Sequence, residues 1–561
     1  MRIYLLLLSG LLLFFLLSCN SNAQLPTQYN LSHFTEADSL RGMLTPERTC
    51  YDVTFYDLQI ALDPQNKSIS GQVEIRFRAT TDFNQLQLDL FRNMKIDKIT
   101  YENQPVLYKR KHDAIFVQLP TIKKGTEGKL IVYYQGQPTI TQNAPWQGGF
   151  VWSKDDQGKD WIAVACEGEG ASLWWPNKDH LSDEPDSMMI RITVPEDLVC
   201  IANGNLVNTI PVGNSMTRYD WRVTYPINNY NVTINVGDYV HFSDTYTSST
   251  DQTTMPMDYY VLSYNLEKAK THFQQVSGVL SCFEKYLGKY PFWEDGYALV
   301  ETPYLGMEHQ GAIAYGNQYM RGYKGGMIPP DMNWDYIIVH ETGHEYFGNS
   351  ISCKDHAEMW IHESFTTYLE ALYVECTAGY EDALRYLQVF RSDRYIKNYN
   401  PIVGPLNVNF TQFGSSDHYF KGSWVLHTIR HAMNDDEKWF ALLKDFYGTF
   451  MMQHIDTEEV ISWFEKHSDL ALTPILHQYL YYPKVPILEY RLEEKKGTLV
   501  VHHRWITDVK GFKMPILMGH PDQYQLVPVT NKWKKTTLKS VDASMFEVAT
   551  DRFLVDLKMV Q

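Results

Sequence analysis

Val339-His340-Glu341-Thr342-Gly343-His344-Glu345-Tyr346-Phe347-Gly348-Asn349 contains H-E-x-x-H. On a helix, His340 and His344 lie one turn apart on the same face. Two imidazoles so placed can grip one divalent metal, and zinc favours nitrogen ligands. Glu341 lies beside them, able to work on a metal-bound water. The preceding run Tyr336-Ile337-Ile338-Val339 is apolar enough to bury the helix. A catalytic zinc needs a third protein ligand and an open position. With eighteen residues separating it from His344, Glu363 is offered by Trp360-Ile361-His362-Glu363-Ser364-Phe365. That spacing lets the first helix end, turn and present a second. The rival is a buried helix with two satisfied histidines, which leaves the placing of Glu363 without a reason.

The chain has 561 residues, 44% of them hydrophobic and 21% charged, which fits several domains with real cores. A net charge of −16 argues against a nucleic-acid partner. At the N-terminus, Arg2 precedes an apolar run from Tyr4 to Leu17, and Leu16-Leu17-Ser18-Cys19 resembles a bacterial lipobox. The expectation is an exported protein, cut before Cys19, lipid-anchored to a bacterial membrane and facing periplasm or cell surface. The alternative is an ordinary signal peptide cut near Ala23. The apolar run is shorter than the roughly 18 residues of a membrane span. Asn20 to Gln28 reads as a polar tether. Six further cysteines form no C-x-x-C pair, so a cysteine metal site is not expected and any disulfide pairing stays open.

From Tyr51 to about Phe242 the pattern is strand, with Val73, Ile75 and Phe77 alternating with polar residues, as do Leu86, Leu88 and Leu90. Asp63-Pro64-Gln65-Asn66 reads as a turn. Asp244 to Met255 is Ser/Thr-rich and reads as a linker. Apolar residues at helical spacing begin at Asn265 and continue to about Leu480, with Asp456-Thr457-Glu458-Glu459 as a capping box. Strand patterns return at Thr498 to Trp505 and Phe553 to Val560. The expected organisation is a signal peptide (1–18), a lipidated tether and extension (19–44), an antiparallel β domain (45–245), a zinc domain (246–482) and a small C-terminal β sandwich (483–561).

The wording around the ligands resembles the aminopeptidase N and leukotriene hydrolase family of zinc metallopeptidases. His344-Glu345-Tyr346-Phe347-Gly348-Asn349 is similar to that family's H-Q-W-F-G-N, and Trp360 to Phe365 to its W-L-N-E-G-F. Leu305-Gly306-Met307-Glu308-His309 resembles G-x-M-E-N, whose glutamate holds the substrate's free α-amine; Leu305 and His309 depart from it. Tyr419-Phe420-Lys421-Gly422 resembles Y-x-K-G, whose tyrosine stabilises the oxyanion. Cys166-Glu167-Gly168-Glu169-Gly170 resembles the β-domain segment that supplies a second amine-binding group. There the choice falls on Glu169, with Glu167 the other candidate.

The resemblance implies a multidomain β plus α/β protein with a thermolysin-like, mostly helical zinc domain and no large C-terminal helical domain. It implies one Zn2+ per chain on His340, His344 and Glu363, with Glu341 and Tyr419 catalytic. Glu308, Glu169, Glu167, Gly306 and Met307 would contact substrate, and Glu370, on the Glu363 face, would orient a ligand. The expected partners are peptides with a free N-terminus, and the membrane through the lipid on Cys19. Alternatives are a peptide-binding lipoprotein without catalysis and an epoxide hydrolase side activity.

Overall fold

The computed structural model describes residues 33–561, apart from 412, 496–497 and 540. Cys19, the signal peptide and the Asn20 to Gln28 tether therefore lie outside the described residues.

Strand Tyr51–Asp63 turns at Asp63–Asn66 and pairs antiparallel with Ser68–Ala79. The alternation read from sequence sets the face that packs: Val73, Ile75, Phe77, Leu86, Leu88 and Leu90 are all buried. The same strand also pairs with Ser187–Pro195, and that pairing is parallel. The β domain is thus not wholly antiparallel, because a long excursion supplies the crossover that a parallel pair needs. The result is an eight-stranded sheet. A four-stranded sheet contains Asp160–Ala165, which runs directly into Cys166 and Glu167.

Asp244 to Met255 is not a linker. Tyr239–Thr247 and Thr254–Leu262 form an antiparallel hairpin, and the second strand pairs in parallel with Tyr297–Glu301. Alternating burial on Thr254–Leu262 outweighs its Ser/Thr-rich turn. The boundary expected at 245/246 falls inside a strand of this five-stranded sheet, whose edge strand Gly306–Met307 delivers Glu308.

Helices follow. Leu266–His272 and Val276–Tyr286 are separated by one 3-10 turn, and Cys282 in the latter is disulfide-bonded to Cys376 in Trp360–Ala378. Asp456 and Glu459 make the capping box of helix Thr457–His467. Helix Leu472–Tyr481 ends this part. Lys421 is buried, and its Nζ donates to the carbonyls of Tyr482 and Pro483 at 3.2 and 2.8 Å, tying the end of that helix to the motif Tyr419 begins.

Residues 487–559 form a four-stranded and a three-stranded sheet. Phe553 and Leu554, expected in a strand, instead dock on the helices, the Leu554 amide donating to Thr428 Oγ1 at 2.9 Å; the strand is Asp556–Met559. Among the described residues no helix is long and apolar enough to cross a membrane.

Candidate active site

Helix Tyr336–His344 starts at Asp335, whose carboxylate accepts the amides of Ile337 and Ile338 at 2.9 and 3.2 Å. This cap was not read from the sequence, although Asp before an apolar run is its usual signal. The helix buries both histidines. His344 Nδ1 lies 2.9 Å from the carbonyl oxygen of Phe347, which can only accept, so Nδ1 carries the proton. His340 Nδ1 faces Glu370 Oε1 at 2.5 Å in the same way. Both Nε2 atoms then present lone pairs, and they stand 3.1 Å apart. Glu363 Oε2 lies 3.5 Å from one and 3.3 Å from the other, buried and with no hydrogen-bond partner.

Three acceptors facing one another without a proton between them call for a cation. Tetrahedral zinc at its usual bond lengths sets ligand atoms roughly 3.3 Å apart, so these residues fit it. Behind His340, Tyr386 donates to the second oxygen of Glu370. Glu370 thus links His340 to Tyr386.

Two close approaches build the rest. A Cβ on Gly306 would lie 2.7 Å from both Glu341 Oε1 and Ile337 Cγ2, so only glycine lets the edge strand press on helix Tyr336–His344. A Cβ on Gly422 would lie 1.7 Å from Ser364 Oγ, so glycine also lets helix Phe420–Met433 seat against helix Trp360–Ala378. Ser364 Oγ donates to the carbonyl of His418 at 2.6 Å, fixing Tyr419 beside it. The rings of Tyr419 and His340 are near-parallel at 6.1 Å.

A cleft of about 550 Å³ opens here, lined by His340, His344, Glu363, Glu341, Tyr419 and Glu308 among others. Gly306, Met307 and Glu167 line it too. Ligand atoms of Glu308, Glu341 and His344 lie within 4.8 Å of one another. Burial pushes the Glu341 carboxyl up to about 8, against the pull of His340 and His344, with Glu308 and Glu363 adding to the push.

Glu169 is a correction. Its Oε2 accepts the Gly148 amide at 2.6 Å, and the side chain faces a separate hollow beside Arg41 and Phe91. Two residues earlier, Glu167 faces the cleft. Burial, then the carboxylates of Glu308, Glu363 and Glu341, push its own carboxyl up. Tyr230, which donates to Glu308 Oε1 at 3.1 Å, was not read from the sequence. Nothing in a lone Tyr between asparagines signals it.

Residues 53–230 match the Peptidase M1 N-terminal domain, and residues 271–479 match the Peptidase family M1 domain. The chain belongs to peptidase family M1. It is 22% identical over 314 residues to the tricorn protease-interacting factor F2 of Thermoplasma acidophilum, 55% of this chain and 37% of that protein. Against aminopeptidase N of Escherichia coli it is 20% identical over 296 residues (50% and 33%). Against aminopeptidase N of Lactobacillus helveticus it is 22% identical over 466 residues (77% and 51%). The chain thus spans about a third to a half of these relatives' lengths. Among solved structures, an M1 zinc metallopeptidase from Deinococcus radiodurans aligns with a TM-score of 0.65 at 20% identity, covering 79% of this chain and 95% of its own. A two-domain M1 zinc metallopeptidase mutant bound to L-tryptophan aligns at 0.66 and 20%, covering 78% and 96%. That likeness shows the shared fold.

Proposed function

We propose that this chain is a zinc-dependent aminopeptidase that removes the N-terminal residue from peptides. The observation that carries the reading is one cleft holding a metal donor set and three carboxylates outside it, Glu341, Glu308 and Glu167. His340, His344 and Glu363 would hold the zinc. When bound, zinc supplies Lewis-acid polarisation of the scissile carbonyl and of a water.

The chain's own residues do the rest. Glu341 takes the water's proton on its carboxylate and hands it to the leaving nitrogen. A carboxylate held within the cleft beside the donor set can take up a proton and return it without moving. Tyr419 donates its hydroxyl proton in a hydrogen bond to the carbonyl oxygen as charge grows there, where a preorganised donor gives most. Glu308 and Glu167 receive the substrate's ammonium. Their fixed distance from Glu341 limits the cut to the first peptide bond. Glu341→Gln tests the scheme: it should bind zinc fully and lose nearly all turnover, because an amide cannot accept the proton. Near-normal turnover in that variant would remove Glu341 as the base.

We read the two C-terminal sheets as a small sandwich domain, and Cys19 as a lipid attachment site on an exported protein. The Cys282–Cys376 disulfide supports export, since such bonds persist in oxidising compartments. Cys19→Ala should move the protein from membrane to soluble fractions; identical fractionation of both forms would refute the anchor.

A further inference from the structure

Among the described residues, Glu308 accepts a side-chain hydroxyl from the β domain. Tyr230 Oη donates to its Oε1 at 3.1 Å, and both side chains are almost fully buried. Tyr230 belongs to a single 3-10 turn, Asn229–Asn231. The turn is pinned on several sides. Asn229 Nδ2 donates to the carbonyl of Lys178 at 2.8 Å, and Asn228 Nδ2 to that of Leu181 at 3.1 Å. Asn203 Nδ2 donates to the carbonyl of Asn231 at 2.9 Å. Cys166 Sγ, one residue before Glu167, contacts the carbonyl of Tyr230 at 3.4 Å.

The same turn reaches Glu308 by a second route. Asn231 Nδ2 donates to Asn349 Oδ1 at 2.8 Å, and Asn349 Nδ2 donates to the backbone carbonyl of Glu308, also at 2.8 Å. Asn349 ends the turn that follows helix Tyr336–His344. Side chain and backbone of Glu308 are therefore both held from one turn, and that turn is also bonded to the strand end that carries Glu167.

We propose that Tyr230 is the positioning residue of the amine site: it occupies one oxygen of Glu308, so the other faces the substrate ammonium in a fixed direction. The inference rests on reading Glu308 as the amine anchor. A carboxylate free to rotate must be ordered by each incoming ligand, which weakens binding. The ammonium is held alike before and during bond cleavage, so losing that order raises KM and leaves kcat nearly alone.

The test compares zinc-loaded wild type, Tyr230→Phe and Glu308→Ala on leucine p-nitroanilide. Inhibition by leucinamide and by its desamino counterpart, 4-methylpentanamide, is measured alongside. Tyr230→Phe should raise KM and the leucinamide inhibition constant about tenfold, as expected for a hydrogen bond to a charged group. It should leave kcat within about twofold and the desamino constant unchanged. A merely structural role would weaken both amides equally. Unchanged constants in Tyr230→Phe, with Glu308→Ala losing its preference for leucinamide, would overturn the positioning role alone. No lost preference in Glu308→Ala would overturn the anchor reading itself. Should Tyr230→Phe not fold, Asn231→Ser, which loosens the second route through Asn349, carries the same two readings.

Discussion

His340 Nδ1 and Glu370 Oε1 stand 2.5 Å apart, joining helix Tyr336–His344 to helix Trp360–Ala378, which also carries Glu363. The contact fixes the proton on Nδ1 and aims Nε2 at Glu363. Carboxylates behind metal-bound histidines typically account for 10- to 100-fold in metal affinity. Glu370→Ala should therefore release zinc to a competing chelator about 10- to 100-fold more readily than wild type. Equal zinc affinity would show that Tyr336, whose ring stacks on His340 at 5.3 Å, suffices to orient it.

Glu358 should make stability fall with rising pH. It is 4% exposed, and its Oε1 accepts the Thr457 amide at 2.8 Å. Burial pushes its carboxyl from the usual 4.5 up to about 7. Between those values the folded chain holds a proton that the unfolded chain has released, so stability is lost as pH rises through that window. Glu358→Gln keeps the acceptor and removes the charge. It should raise the melting temperature at pH 8, by a free energy of about 3 kcal/mol at most, and change little at pH 4. An equal gain at both pH values would contradict the account.

The disulfide should stabilise the metal-bearing helices. It joins residues 94 apart in sequence, one of them on the helix that carries Glu363. Closing a loop of that length is worth roughly 2–5 kcal/mol. Reduction, or Cys282→Ser with Cys376→Ser, should lower the melting temperature by several degrees at constant zinc. An unchanged melting curve under complete reduction would show that packing alone holds the two helices.

The meeting of His340, His344 and Glu363 was legible because it rests on short-range rules. Helical spacing brings His340 to His344, and a second helix at the right distance brings Glu363. The capping box at Asp456 and the alternation around Val73 to Phe77 are local in the same sense. What failed was decided at long range. Glu167 and Glu169 differ by two residues in a glycine-rich turn, and which one faces the cleft depends on the Gly148 amide capturing the other. The Ser/Thr-rich stretch at 244–255 became the turn of a hairpin whose second strand pairs, at Met257 to Tyr260, with the distant strand Tyr297–Glu301. Tyr230 and Cys282 find their partners 78 and 94 residues away, and no local pattern records such contacts.

The exopeptidase claim rests on the carboxylates that face the ammonium. H-E-x-x-H chemistry alone cuts any peptide bond that reaches the metal. Acetylating the substrate removes the charge and adds bulk beside Glu308 and Glu167, leaving buried carboxylates against a neutral group. The most direct measurement is kcat/KM for one aminoacyl reporter, free and N-acetylated, on the zinc-loaded wild-type protein. The free form should be cleaved at least about 10³-fold better; comparable rates for the two would show an endopeptidase and contradict the account.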